Sequence, residues 1–195
     1  MKDIFYADKR DMVKWGGLIA LSQGANITTI VQVAYYRQAE LPKLKFDGKS
    51  LAFPEQVRNH FRNIENITQL GKTTGIGIEV FKKPFTHDSR VDYHKILLRK
   101  IKAIKKQKIV FLDPDNGLAP GNCKDEHVKS EEVTDVWQVL SSGDYLVFYQ
   151  HLFRKADWAE INRKKLAEAC SIKLNQVHTW SSELAHDVVF FYIGK

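Results

Sequence analysis

The sequence predicts an α/β fold: a Rossmann-like, mostly parallel sheet with helices on both faces and a terminal antiparallel strand pair. Strand-like segments alternate with segments of helical periodicity along the 195 residues. "IVFL" at 109–112 and "YLVFY" at 145–149 are continuous apolar runs, which are typical of parallel strands buried on both faces. Residues 173–194 contain two further strand-like segments joined by a loop, and these predict the antiparallel pair.

The first half of the chain contains two predicted helices and two predicted strands. Helical spacing of apolar residues indicates the first helix, although Gly16 and Gly17 lower its helical propensity. β-Branched and aromatic residues indicate the strands, and Pro54 is suited to the first position of the second helix. In chain order we predict a helix at 9–23, a strand at 26–36, a loop or short hairpin turning at Asp47-Gly48, a helix at 54–67 and a strand at 75–83.

The second half repeats the alternation of helix and strand. A clear apolar stripe that includes Leu97 and Ile101 predicts one helix, and Gly143 is placed to end another. The predicted elements are a helix at 89–107, a strand at 109–112, an irregular loop, a helix at 130–142, a strand at 144–151 and a helix at 157–171. No repeat, low-complexity tract or Pro/Ser-rich linker interrupts the series, so residues 1–195 are interpreted as a single domain.

The composition is that of a soluble globular protein, with 44% hydrophobic and 27% charged residues. No apolar run approaches the roughly 18 residues of a membrane span, so we expect no membrane partner. The amino-terminal residues 1–15 carry charges throughout and lack the apolar core of a signal peptide. We therefore expect a cytoplasmic protein in which Cys123 and Cys170 are reduced thiols. The oligomeric state is left open.

Polar side chains follow each predicted strand at the edge of the sheet where ligands bind in such folds. Asp113, Asp115 and Asn116 directly follow the strand at 109–112. The other strands contribute Tyr35, Arg37, Glu79, Lys82, Tyr149, Gln150, His151 and Arg154. We interpret Asp113, Asp115 and His151 as candidate catalytic residues. Asn116, Tyr149, Gln150, Arg154, Tyr35, Arg37 and Lys82 are candidate substrate-binding residues.

The stretch "DPDNG" at 113–117 also has a purely structural interpretation. Asp and Asn side chains bond their own backbone in turns, and Gly117 supplies the positive φ that such turns need, or lets the loop pass closely around a ligand. Glu79 has the alternatives of pointing to solvent or pairing with Lys82. Lys14 and Trp15 are interpreted as residues that pack and pair rather than catalyse.

The formal net charge of +7 favours an anionic partner, most often nucleic acid. The basic residues are unevenly distributed, and "RKIKAIKKQK" at 99–108 carries six of the thirty. This lysine-rich stretch is either a solvated helix face or a contact surface for nucleic acid.

The whole chain resembles an uncharacterised family of small bacterial and phage proteins. The phrases "ADKRDMVKWGGL", "VFLDPDNGL", "YQH" and "DVVFFY" carry the resemblance from end to end. The resemblance implies no particular activity.

The stretch at 113–116 also resembles the Asp-Pro-Pro-Tyr loop of amino-directed nucleic-acid methyltransferases. In that family the Asp and a backbone carbonyl accept hydrogen bonds from the target amine, and the aromatic residue stacks on a flipped base. Asp113 and Pro114 match the first two positions, whereas Asp115 and Asn116 replace the second Pro and the aromatic residue. The resemblance implies S-adenosylmethionine as a cofactor, but no glycine-rich cofactor loop follows the first strand.

Three functions therefore remain open. In the first, the chain is a methyltransferase-like enzyme that acts on nucleic acid. Asp113 then orients the target amine, and Tyr149 or Tyr35 stacks on the base. Alternatively, it is a Mg²⁺-dependent nuclease or phosphoesterase in which Asp113, Asp115 and Glu79 hold the metal and His151 or Lys82 assists. The third alternative is a non-catalytic module that binds nucleic acid or a protein partner. Clustering of polar residues at the strand ends favours an enzyme.

Overall fold

The computed structural model describes residues 2–153 and 156–195, and it confirms the predicted α/β class. The helices are α1 (Lys9–Gly24), α2 (Glu55–Arg62), α3 (Thr68–Thr74), α4 (Arg90–Ala103), α5 (Ser130–Val139) and α6 (Trp158–Ala169). The strands are β1 (Thr29–Val33), β2 (Leu44–Phe46), β3 (Lys49–Leu51), β4 (Gly77–Phe81), β5 (Ile109–Leu112), β6 (Gly117–Leu118), β7 (His127–Val128), β8 (Tyr145–His151), β9 (His178–Trp180) and β10 (Val188–Gly194).

Six strands form the central sheet in the order β4-β1-β5-β8-β10-β9. The first four strands are parallel, with Val33 opposite both Phe81 and Leu112. β10 is antiparallel to both β8 and β9, so β9 runs in the same direction as the first four. The terminal antiparallel pair is thus confirmed, and its antiparallel member lies inside the sheet between two parallel strands.

Helices cover both faces of the sheet because the side chains of each central strand alternate between two cores. From β5, Val110 and Leu112 join the core beneath α4, α5 and α6. Ile109 and Phe111 point the other way and join the core beneath α1, which contains Trp15. A side chain at Gly17 would lie 2.2 Å from Trp180, so this glycine allows α1 to approach the edge of the sheet closely.

Several boundaries differ from the sequence-based prediction. The helix predicted at 54–67 ends at Arg62, because the Asn63 side chain accepts a hydrogen bond from the Glu65 amide and starts a new turn leading to α3. α4 ends at Ala103 rather than at residue 107. The loop predicted as irregular contains the two-residue pair β6–β7.

None of the helices in the described ranges has the length and apolar character required to span a bilayer.

Candidate functional site

A cleft of about 170 Å³ lies beyond the carboxyl ends of β5 and β8. Its walls are the first half of α1, the loop at 113–116, and Tyr149 and His151 of β8. The chain leaves β1 toward β4 on one side and reaches β5 on the other, so the sheet reverses its winding between β1 and β5. Open α/β sheets bind ligands at this kind of reversal. The cleft lies at the carboxyl edge of the sheet, as predicted, over β5 and β8 and next to this reversal.

A buried ion-pair network forms the floor of the cleft. Lys14 Nζ lies 2.9 Å from Asp113 Oδ2 and 2.5 Å from Asp11 Oδ1. Gln32 of β1 donates from Nε2 to the same Asp113 oxygen at 2.7 Å. Asp113 is 1% exposed and Lys14 is 2% exposed. This contact confirms that Lys14 is a pairing residue, and it shows that Asp113 joins α1, β1 and β5.

The network keeps Lys14 charged. Burial opposes the ammonium charge, but the Asp113 and Asp11 carboxylates outweigh burial and raise the pKa of Lys14. Burial also raises the pKa of Asp113, and Lys14 opposes that rise. The ammonium also lies 5.8 Å from the ring centre of Phe111 and 5.7 Å from that of Tyr149. A protonated lysine thus lies in direct contact with the Asp113 carboxylate.

The second carboxylate of the loop, Asp115, is held by a different cation. Arg37, which follows β1, forms an ion pair with Asp115 Oδ2 and a second one with Glu126 at 3.1 Å. The Lys2 amide donates to Asp115 Oδ1 at 2.7 Å. Burial would raise the pKa of Asp115, but Arg37 and the Lys2 amide contribute to an opposing effect that lowers the pKa below its ordinary 3.8.

Replacing Asp115 with asparagine should lower the free energy of unfolding by about 1.5–3 kcal/mol at pH 7. Because the pKa of Asp115 is lower in the folded protein, its stabilising effect is present above the ordinary pKa of 3.8 and is lost as the pH falls through the folded value. Urea unfolding of wild type and Asp115→Asn between pH 7 and pH 3 measures this. The matched control is Asp88→Asn, at an exposed position. A wild-type advantage that stays constant down to pH 3 would contradict the assignment.

His151 lies at the mouth of the cleft beside a carboxylate. Its Nε2 is 3.3 Å from Asp187 Oδ2, and its Nδ1 is 3.0 Å from the Leu152 carbonyl. Arg10 of α1 binds Asp187 from the other side through Nε at 3.1 Å. The His151 side chain is 32% exposed. An oriented imidazole at the rim of a cleft has the geometry of a general acid or base.

Gln150 and Gly117 shape the loop rather than face a ligand. Gln150 is 2% exposed, accepts the Leu118 amide at 3.0 Å and donates to the Asn116 carbonyl at 2.9 Å. Gly117 has φ +108, as its turn role requires, and a Cβ there would lie 2.2 Å from Gln150 Oε1. Gln150 therefore positions the loop and does not make the predicted substrate contact. The group that passes close to Gly117 is the Gln150 side chain.

Other predicted site residues lie elsewhere. Tyr35 is 2% exposed and packs against Phe85 and Tyr93, so it is a core residue and is not placed to stack on a base. Glu79 pairs with Lys100 at 3.3 Å, and Lys82 pairs with Glu65 at 2.6 Å. Glu79 is thus partly exposed and pairs with Lys100 rather than with Lys82, and among the described residues it is not grouped with Asp113 and Asp115 to hold a metal ion.

Arg154 lies outside the described residues. Across the described ranges, no group of three or more His, Cys, Asp or Glu side chains is arranged to hold a metal ion. Asn116 is exposed and lines the cleft, and its role as a substrate contact stays a prediction.

Asp8, Asp11 and Asp187 were missed from the sequence, and Lys14 was predicted only to pack and pair. Asp8, Asp11 and Lys14 follow one another at intervals of three on α1, which places them on one helical face toward the cleft. Asp8 also caps the helix by accepting from the Arg10 and Asp11 amides. This spacing is a sequence pattern from which the site residues on α1 could have been predicted. No sequence pattern indicates Asp187, because it reaches the site only through the antiparallel pairing of β10 with β8.

The lysine-rich stretch does not adjoin the cleft. α4 leads into the amino end of β5, so Lys102, Lys105 and Lys106 lie at the opposite edge of the sheet, where all three are exposed. Lys108 is buried there and pairs with Asp144 at 2.7 Å. The lysine-rich stretch at 99–108 and the acidic loop at 113–116 are close in sequence, but they therefore lie at opposite edges of the sheet.

The chain matches no protein-family model, and a search of curated proteins found no match either.

Proposed function

We propose that the protein is a Rossmann-like enzyme acting on nucleic acid, and that its cleft accepts a base that carries an amino group. One observation carries the proposal. Four carboxylates but only two cationic side chains line the cleft, in a protein whose formal net charge is +7. Carboxylate oxygens accept hydrogen bonds, so such a lining suits a ligand that donates them. The positive charge elsewhere suits the nucleic-acid backbone.

The side chains that can contact such a nucleobase lie on the rim of the cleft. Asp113 and Asp115 are occupied by Lys14 and Arg37, so their role is to fix the loop. The exposed Asn116 carries an amide oxygen that can accept from an amine. His151 also lines the cleft and is the candidate acid or base, a role in which its Nε2 exchanges Asp187 for the ligand.

The sheet supports the resemblance to amino-directed methyltransferases. The resemblance implies a Rossmann-like sheet, and the sheet here is mostly parallel with helices on both faces. The cofactor region does not fit. β1 leads into Tyr35, whose ring fills the space beneath the turn, and no glycine-rich turn follows. We therefore assign no step to S-adenosylmethionine.

Absence of that turn favours a second candidate, a binding module that recognises a base without turnover. Magnesium-dependent hydrolysis is not supported, because each loop carboxylate already holds a cationic side chain.

A nucleoside-binding panel tests the proposed recognition. Adenosine and cytidine should bind more tightly than inosine and uridine, which lack the amine, by roughly tenfold, the equivalent of one hydrogen bond of about 1.4 kcal/mol. Isothermal titration calorimetry measures this for wild type, for Asn116→Ala, which should lose the preference, and for Asn175→Ala as an exposed control. Equal affinity for all four nucleosides would overturn the proposal.

Turnover separates the enzyme from the binding module. Incubation with single-stranded oligonucleotides, with and without S-adenosylmethionine, Mg²⁺ or Mn²⁺, is followed by mass spectrometry of the product. A mass change that His151→Gln abolishes supports the enzyme. Binding without any mass change supports the module.

A further inference from the structure

An arm formed by residues 38–63 projects from the carboxyl edge of the sheet between β1 and α3. It contains the β2–β3 hairpin, which turns at Asp47-Gly48 as predicted, and α2. Ten large apolar side chains are exposed in the described residues, and five of them belong to this arm: Leu44, Phe46, Leu51, Val57 and Phe61. Concentration of exposed apolar surface in so short a segment indicates an interaction surface.

The hairpin presents its apolar side chains on one face. Leu44 is opposite Leu51 and Phe46 is opposite Lys49, and cross-strand partners and every second residue share a face. Phe46 is 60% exposed. On α2, Phe61 is 65% exposed and lies one helical turn from Val57. Two aromatic rings, one on each element, are therefore open to solvent.

Cationic side chains accompany these rings. Lys43, Lys45, Lys49 and Arg58 are exposed and form no ion pair with any residue of 2–153 or 156–195. The arm holds five basic residues against three acidic ones. Lys49 shares the face of Phe46, whereas Lys45 lies on the other face of the hairpin. Exposed rings accompanied by basic side chains are typical of proteins that bind single strands, because bases stack on the rings and phosphates contact the cationic groups.

We propose that this arm binds single-stranded nucleic acid and holds the strand beside the cleft. The inference rests on the proposed function, since it names where the nucleotides flanking the bound base lie. A second copy of the chain is the less suitable occupant, because unpaired lysines on both faces would repel each other.

The base of the arm is tied to the cleft. Asp3 is 1% exposed and pairs with Arg62, whose Nε donates at 2.9 Å. Asp3 also accepts the Ala39 amide at 3.0 Å, so both ends of the arm meet at this carboxylate. The neighbouring Lys2 amide donates to Asp115 of the cleft. The arm is thereby fixed next to the loop at 113–116.

Fluorescence anisotropy with labelled 12-nucleotide single-stranded DNA and RNA, without any cofactor, tests the proposal. Phe46→Ala/Phe61→Ala should weaken binding by at least about tenfold, given the usual effect of removing a stacking platform. Lys45→Gln/Lys49→Gln should reduce the salt dependence by about 0.7 in log–log slope for each lost phosphate contact. Val91→Ala/Leu184→Ala removes two exposed apolar side chains outside the arm and should leave affinity unchanged.

Unchanged affinity in the phenylalanine double variant would overturn the proposal. So would a dimeric wild type, measured by light scattering, that becomes monomeric in that variant, because the arm would then join two copies. Failure of the proposed function is distinguishable: the nucleoside panel would show no amine preference while the arm variants still weaken oligonucleotide binding.

Discussion

Lys14→Met is expected to lower the free energy of unfolding by about 3–5 kcal/mol, the usual cost of removing one partner from a buried ion pair. The substitution removes the ammonium that lies within 3 Å of both Asp113 and Asp11, and leaves two carboxylates buried together. In a chain of this length, each kcal/mol corresponds to roughly 2–4 °C in melting temperature. Urea unfolding and a thermal melt both measure the loss.

Two matched variants serve as controls for the effect of Lys14→Met on stability. Lys95→Met removes an exposed lysine whose nearest carboxylate, on Asp92, is 3.9 Å away, and it should change stability by less than about 0.5 kcal/mol. Lys14→Met/Asp113→Asn also removes one of the two buried carboxylates that Lys14→Met leaves without its ammonium partner. The double variant should therefore recover part of the lost free energy of unfolding. A Lys14→Met variant as stable as Lys95→Met would show that Lys14 does not hold the site together.

Gly117→Ala is expected to lower the free energy of unfolding by about 2–4 kcal/mol, by combining backbone strain with the loss of buried hydrogen bonds. The φ of +108 is unfavourable for alanine, and the new Cβ would displace the amide of Gln150, which holds the Leu118 amide and the Asn116 carbonyl. Because Asn116 belongs to the rim of the cleft, nucleoside affinity should fall together with stability. Urea unfolding and calorimetry on the same samples measure both.

Gly121→Ala is the control, since nothing lies within 4 Å of a Cβ there. A cycle with Gln150→Ala separates the two causes: if the clash dominates, the double variant is much less destabilised than the sum of the single variants. If the losses simply add, backbone strain alone accounts for the effect of Gly117→Ala.

The fold was predictable because its signals are local. The apolar runs of β5 and β8 and the stripe of α4 can be read from a few consecutive residues. The position of the cleft followed from the rule for parallel sheets. The contents of the cleft did not follow, because Lys14 and Asp113 meet across 99 residues and Gln32 and Asp113 across 81. Tyr35 shows the converse: its position after β1 suggested a site, whereas the packing of three rings buries it.

The exposed lysines at the amino edge of the sheet form a second surface to which a polyanion can bind. A strand captured by Lys102, Lys105 and Lys106 is held at the edge opposite the cleft, where neither the arm nor His151 lies. At low salt such unproductive capture competes with productive binding, and salt weakens it because it depends on charge alone. If the protein is the proposed enzyme and the arm binds single strands, the reaction rate should pass through a maximum as ionic strength rises, because stacking on the arm would retain the strand after purely electrostatic capture has been screened.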